Sequence, residues 1–421
     1  MCLSIQLLVL NKLGSPLAVG RYGLALAITA PLFFLANLRL SQLLATDMRT
    51  RVNLVNYFLL RSWLLWAAML LVGIALNIVG VSDITIVLIL VSFSKATEGV
   101  TDLCHAAQQR IQRVDRIAIS LFANGIVVTA TFSIAYAITT SLEWAVAWMV
   151  AGRLAVLCGY DLVVLYNASR ENVFASENAN SGTNKSTWFR SLDFSESIGI
   201  VKHALPLGIT GLLLCLTSNI PRYIIVKEMS EHALGIFVTL AAALQAGNLI
   251  FKAIEQPTSP RMAQLLKERN SRGFWHLANK LFGLFLLGGV VFSGLSLLLG
   301  PYLLGFVLPE YAAWSGLLAL LVITSMGAQY AGMVESCLIG ARITAVQLPI
   351  HLLTITTCFI ASLLLIPKYG LYGAVLALII CRIPYTVIGI WLLHRFFREP
   401  EPATETVNCL PPVHPNPAKA A

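Results

Sequence analysis

Charge is scarce in this sequence. Only 12% of its 421 residues are Asp, Glu, Lys or Arg, about half of the ~25% usual for soluble domains. Hydrophilic stretches are scarce too. The longest between apolar blocks is 167–197, too short for a nucleotide-binding domain, which excludes an ATP-driven pump that carries its own motor. No GxSxG, P-loop, HExxH or GxGxxG pattern occurs, and no aspartate pair resembles a nucleotide-sugar site. These absences argue against the common catalytic and nucleotide sites. The eight cysteines form no CxxC and no metal-ligand spacing. Cys104, Cys158, Cys215, Cys337, Cys358 and Cys381 fall in predicted helices and read as small packing residues. No cofactor is expected. The basic-aromatic and zinc modules of nucleic-acid binders are missing, so the net charge of +9 points to no nucleic-acid partner.

What is present is apolar. Hydrophobic residues make up 57% of the chain, and they cluster in blocks of about 20, the length that crosses ~30 Å of hydrocarbon at 1.5 Å per residue. The predicted spans are 20–41, 57–79, 84–105, 117–138, 143–166, 198–220, 235–255, 278–300, 314–338, 347–366 and 371–393. Met1–Leu10 is apolar but shorter than a span. It lacks a basic flank and a cleavage site, so it reads as an incomplete first helix and not as a signal peptide. The fold class is therefore an all-α polytopic membrane protein of about twelve transmembrane helices, the first one short.

Loop charge sets the orientation. With the N-terminus inside, the inner segments carry most of the Arg and Lys, from Arg49 and Arg51 to Arg395 and Arg398. The outer segments carry only Lys12, Arg21, Arg222, Lys227 and Lys368. That bias obeys the positive-inside rule and puts both termini in the cytoplasm. The stretch 167–197 is rich in Ser, Asn, Gly and Thr, a composition that cannot bury a core, and reads as a flexible cytoplasmic linker. The Pro-rich segment 399–421 reads as a disordered tail. The sequons at Asn167 and Asn184 are discounted because they fall on the inner side. The linker divides the spans into lobes at 1–166 and 198–398. These look related: AVGRYGLALAITAPLFF from Ala18 lies over ALGIFVTLAAALQAGNL from Ala233, matching Gly20 with Gly235. Repeats with an even number of spans are parallel, related by a pseudo-two-fold axis along the membrane normal.

Ionisable groups inside spans are costly, roughly 2.5–3.5 kcal/mol on insertion scales, and so mark cavities or partners. Lys95, Arg153 and Arg382 lie near mid-span; Arg39, Asp102, Asp161, Lys252, Glu255 and Glu335 lie nearer the inner ends, where snorkelling is the plain alternative. Lys95, Glu98, Asp102 and His105 share one helical stripe. It reads either as an ion-pair ladder or as the polar wall of a path, with a proton or sodium ion as candidate coupling partner. Gln245 and Asn248 lie near Lys252 and Glu255 and are suited to hydroxyl groups.

Three segments carry a resemblance. LGSPLAVGRYGLALAITAPLFFLANLRLSQLLATD (from Leu13), SNIPRYIIVKEMSEHALGIFVTLAAALQAGNLIFKAIEQPTSPRMAQL (from Ser218) and IPKYGLYGAVLA (from Ile366) resemble the polysaccharide flippases of the multidrug/oligosaccharidyl-lipid/polysaccharide (MOP) superfamily. The resemblance implies two six-helix lobes in a V, alternating access and no enzymatic activity. It implies an undecaprenyl-diphosphate-linked oligosaccharide as cargo, moved from the cytoplasmic to the periplasmic leaflet of a bacterial inner membrane for O-antigen, lipopolysaccharide or exopolysaccharide synthesis. A polysaccharide polymerase is a candidate partner. Cavity cations meet the diphosphate in this family; by location, Arg39, Lys95, Arg153 and Lys252 are candidates, with Gln245 and Asn248 as polar partners. Glu98, Asp102, Glu255 and Arg222, the last within NIPRY, are candidates for coupling or gating. Two other readings stay open: an ion-coupled drug antiporter of the same superfamily, and a membrane enzyme of polysaccharide assembly.

Overall fold

A computed structural model describes residues 2–46, 54–79, 84–170, 194–307, 309–341, 343 and 346–398. Among them every regular element is helical: α1 (Cys2–Leu13), α2 (Pro16–Asn37), α3 (Leu40–Thr46), α4 (Leu54–Val79), α5 (Thr85–Arg110), α6 (Val114–Thr139), α7 (Leu142–Val156), α8 (Leu162–Arg170), α9 (Phe194–Glu228), α10 (Glu231–Lys267), α11 (Ser271–Leu298), α12 (Gly300–Val307), α13 (Ser315–Gly340), α14 (Gln347–Ile380) and α15 (Arg382–Arg398). A π-helical turn, Leu157–Asp161, joins α7 to α8, and a 3₁₀ turn, Pro309–Trp314, leads into α13. Eight helical segments among the described residues are long and apolar enough to span a membrane. The last, Gln347–Arg398, is long enough for two spans, and Gly370 (φ 57°) bends the chain between them. The protein is a multi-pass helical membrane protein. The charges of α5 keep it out of a purely apolar count, as expected for a span that faces protein or a cavity.

Two sequence boundaries shift. Helix α9 starts at Phe194, inside the predicted linker, and α8 runs to Arg170. Residues 171–193 and the tail from 399 onward lie outside the described residues.

The repeat is visible in three dimensions. Ser15 caps α2 by accepting from the Ala18 N–H, and Ser230 caps α10 by accepting from the Ala233 N–H, the same positions in the aligned segments. The two helices cross at Gly20 and Gly235. A Cβ on Gly20 would sit 1.8 Å from the Glu231 carbonyl oxygen, and one on Gly235 would sit 1.9 Å from that of Pro16. Small residues let backbones approach closely where lipid gives helices no hydrophobic reason to associate. Each glycine therefore serves the other helix, as a two-fold contact requires. Arg21 donates from Nε to Glu231 Oε2 at 3.1 Å beside this crossing, and Asn11 on α1 donates to Thr239 on α10 at 2.8 Å while accepting from the Tyr311 hydroxyl.

Packing differs between the two ends. At the end that loop charge assigns to the outside, one apolar cluster joins the halves, with Val19, Tyr22 and Phe132 packed in the same core as Leu234, Phe237 and Leu317. Toward the other end the core separates. Leu40, Leu44, Tyr57 and Leu103 form one cluster, joined by Ile200 and Ala204 of α9. Met262, Phe274, Leu281 and Leu338 form another. Among the described residues the halves share one core at the outer end, whereas at the inner end the start of α9 stays packed on the first half and the α10–α11–α13–α15 cluster stands apart from it.

Candidate functional site

The polar centre of the N-terminal half is built on α5 and α7. Glu98 Oε2 accepts from Lys95 Nζ at 2.9 Å and from Arg153 Nη1 at 2.9 Å; Arg153 Nη1 also reaches the Ser94 carbonyl at 3.3 Å. One carboxylate thus sits between two cations, and the cluster keeps one net positive charge. Arg153 is the most enclosed of the three and Glu98 the most open, with 18% and 44% of their side chains exposed. The Nε of Arg153 is buried without a hydrogen-bond partner. The Lys95 charge also reaches Cys215 of α9. Two turns further along α9, Arg222 donates from Nη1 to Asn219 Oδ1 at 3.1 Å, and its Nε is likewise buried and unpartnered. The neighbouring Tyr223 hydroxyl donates to the Ala27 carbonyl of α2, holding this part of α9 against the first half.

The stripe predicted on α5 divides. Lys95 and Glu98 join the central cluster. Asp102 is exposed. His105 turns away: its Nε2 lies 2.8 Å from Ser120 Oγ of α6 and 3.7 Å from Asp161 Oδ1. Asp161 is buried in the π-helical turn with Oδ2 unpartnered. A four-residue ladder needs all members to face one neighbour, but α5 packs against α2, α6 and α7 at different depths and its polar groups follow those neighbours.

Arg39 stands apart from this cluster. Leu38 and Arg39 both adopt left-handed backbone (φ 41° and 50°), which is unfavourable for residues with a Cβ and breaks α2 from α3. The Arg39 charge acts on Glu335 of α13 and on His351 of α14; His351 Nε2 lies 3.8 Å from Glu335 Oε1 and its ring stacks on Tyr385. The field of Arg39 therefore reaches an acidic group of the opposite half, and Arg382 acts on the same carboxylate. Of the other candidates, Gln245, Asn248, Lys252 and Glu255 lie on α10, but their side chains are outside the described residues.

One important residue was missed from sequence. Arg61 on α4 is 1% exposed. It donates from Nη1 to the Asn37 carbonyl at 2.7 Å, and from Nε and Nη2 to the Gly99 carbonyl at 3.0 and 2.9 Å. Arg61 thus ties the broken end of α2 to α5 one residue from Glu98. A Cβ on Gly99 would lie 3.4 Å from Arg61 Nε and 3.2 Å from Asn37 Oδ1, so the glycine leaves room for the guanidinium. Its place near the start of a predicted span gives it the look of an end-of-helix cation. The one sequence signal is an arginine set between the apolar stretches Tyr57–Leu60 and Trp63–Leu71.

The overlay on known structures is extensive. The chain superposes on an inward-facing multidrug resistance MATE family transporter of the MOP superfamily with a TM-score of 0.70, 10% identity, and coverage of 94% of this chain and 93% of the other. The chain shares the fold of that transporter. The outward-facing conformation of a MATE family transporter superposes less well (TM-score 0.56, 12% identity, 94% of each chain), as does the Vibrio cholerae transporter VcmN in its bent form (0.55, 14%, 94% and 93%). In sequence, the chain is 26% identical over 405 residues to the capsular polysaccharide biosynthesis protein CapF of Staphylococcus aureus, covering 94% of this chain and 96% of that protein. No family model matches. Fold and relative together support the resemblance to polysaccharide flippases of the MOP superfamily.

Proposed function

We propose that the protein is a flippase that carries a lipid-linked oligosaccharide, on an undecaprenyl-diphosphate carrier, from the cytoplasmic to the outer leaflet by alternating access. The observation that carries this reading is the Lys95–Glu98–Arg153 cluster: positively charged overall, open on its Glu98 side, and with the Lys95 charge reaching Cys215 of α9. Guanidinium and ammonium groups held by a single carboxylate are ready to exchange it for a diphosphate, which offers more oxygens and more charge. Arg222 on α9 adds a further cation from the second half. The similarity to a capsular polysaccharide biosynthesis protein favours a sugar cargo. Membrane potential would assist export: at about 2.3 kcal/mol per charge per 100 mV, a diphosphate moving outward gains up to roughly 4–5 kcal/mol if its two charges cross uncompensated.

The test is surface polysaccharide in cells whose own copy is deleted. Arg153→Ala and Lys95→Ala should each lower it while the protein stays in the membrane. Normal polysaccharide from both variants sinks the cluster's assignment. The drug-antiporter reading draws support from the multidrug transporters that share the fold. It predicts that the same variants change resistance to cationic drugs and leave polysaccharide intact.

A further inference from the structure

The second half holds a feature that the transport path does not use. Helices α11, α13 and α15 enclose a groove of about 870 Å³. Its walls include Leu286, Val290, Ile383 and Val387, all more than half exposed on the molecule's flank, so it opens sideways into hydrocarbon. Glycines make its floor: a Cβ on Gly327 would meet nothing within 4 Å. Along α11 the groove runs from Trp275 to Val290, about 22 Å at 1.5 Å per residue, longer than the ~15 Å hydrocarbon depth of one leaflet. At its inner end Trp275 stacks on His394 with ring centroids 3.9 Å apart, which sets the ends of α11 and α15 side by side. Among the described residues, Ser271–Lys280 and Trp391–Arg398 carry Arg272, Lys280, Arg395 and Arg398 and no acidic side chain. Arg382 lines the deep wall, where its charge acts on Glu335, and the cations nearest the membrane surface are those of the inner rim.

We propose that this groove is a binding site for an anionic phospholipid of the cytoplasmic leaflet, with one acyl chain in the groove and the phosphate at the basic rim. The site is independent of the cargo. Shape selects a chain, since the walls are apolar and open to the bilayer. Charge selects the head, because juxtamembrane Lys and Arg attract anionic lipids.

The full chain, purified in detergent, would be titrated with phosphatidylglycerol or phosphatidylcholine and the bound lipid counted by native mass spectrometry, with the melting temperature followed in parallel. The wild type should retain phosphatidylglycerol in preference. Gly327→Leu fills the groove without a clash; displacing about two methylene groups should weaken retention of either lipid about tenfold, with the lipid-free melting temperature unchanged. Arg272→Gln with Lys280→Gln should keep the chain site and lose the preference for the anionic head. Equal retention of the two lipids by the wild type overturns the proposal, as does a Gly327→Leu variant that binds like the wild type. Displacement of phosphatidylglycerol by undecaprenyl phosphate, with the carrier retained more tightly, would give the groove to the carrier and also overturn it.

Discussion

Helices α5 and α13 occupy the same place in the two halves, each the fourth spanning segment of its repeat, yet they carry different chemistry. Helix α5 bears Lys95, Glu98 and Asp102 within eight residues, bonded to α7 and held by Arg61 from α4. Helix α13 bears a single charge, Glu335, and turns a glycine-floored apolar face to the bilayer. The α2–α10 crossing has kept its two-fold symmetry, down to matching serine caps and glycines. Symmetry survives where the halves touch and must stay closely packed. It is lost where each half meets something else: a polar path in one, lipid in the other.

The sharpest way to break this comparison is to remove what makes the α5 site rigid. Arg61→Leu withdraws three charge-assisted hydrogen bonds from two buried carbonyls. Bonds to charged groups are worth about 1.5–3 kcal/mol each, so a loss of ~3 kcal/mol or more is expected, seen as a collapsed yield of monodisperse protein and a lowered melting temperature. Arg61→Lys should recover only part, since an ammonium cannot donate bidentately to the Gly99 carbonyl while also reaching Asn37. Unchanged melting in Arg61→Leu would show that α5 needs no such tie.

Next in size come the two crossing glycines, which sharpen the symmetric side of the comparison. A methyl group at Gly20 or Gly235 lands within 2 Å of a carbonyl oxygen, and overpacking of this kind costs typically ~1–3 kcal/mol. Because the contact is two-fold, Gly20→Ala and Gly235→Ala should shift the molecule toward an outward-open state by similar amounts, read as longer distances between spin labels on the outer ends of α2 and α10. A large shift from one variant and none from the other would show that the crossing is not functionally symmetric.

A smaller effect separates the two fourth helices directly. Glu98→Gln leaves Lys95 and Arg153 without their shared counter-ion. Cargo release should slow, lowering polysaccharide export about tenfold, the equivalent of ~1.4 kcal/mol. Glu335→Gln should do less, because its neighbours Arg39, Arg382 and His351 already span both halves. The reverse order of severity would move the working site to the second half.

Much of the architecture was legible in sequence because it depends on local runs: apolar block length gives the spans, and the Ala18 and Ala233 segments give the repeat. The central cluster was half legible. Lys95 and Glu98 are one turn apart and fall together on any helix, whereas Arg153 joins them across 55 residues, a pairing that only tertiary packing sets. That Glu98 compensates both cations was invisible for the same reason, and so was the groove, whose walls come mainly from α11, α13 and α15, each separated from the next by another helix. Arg61 was hidden by its position, since a cation near the start of a span looks solvated until its partners, Asn37 and Gly99, are brought to it from two other helices.

The smallest expected effect concerns an outer ion pair that the symmetry does not repeat. In the aligned segments Arg21 corresponds to Ile236 and Glu231 to Pro16, so the Arg21–Glu231 pair occurs once. Its side chains are 37% and 25% exposed, and ion pairs that reach water contribute at most ~1 kcal/mol and weaken with salt. Arg21→Ala, Glu231→Ala and the double variant should therefore give a coupling energy below ~1 kcal/mol by thermal unfolding, with label distances at the outer end little changed. The symmetric glycine crossing, which excludes water and depends on shape, would then be the contact that holds the outer end shut. A coupling well above that limit, insensitive to salt, would assign the closure to the ion pair instead, and a contact peculiar to one half would be holding together a crossing that both halves share.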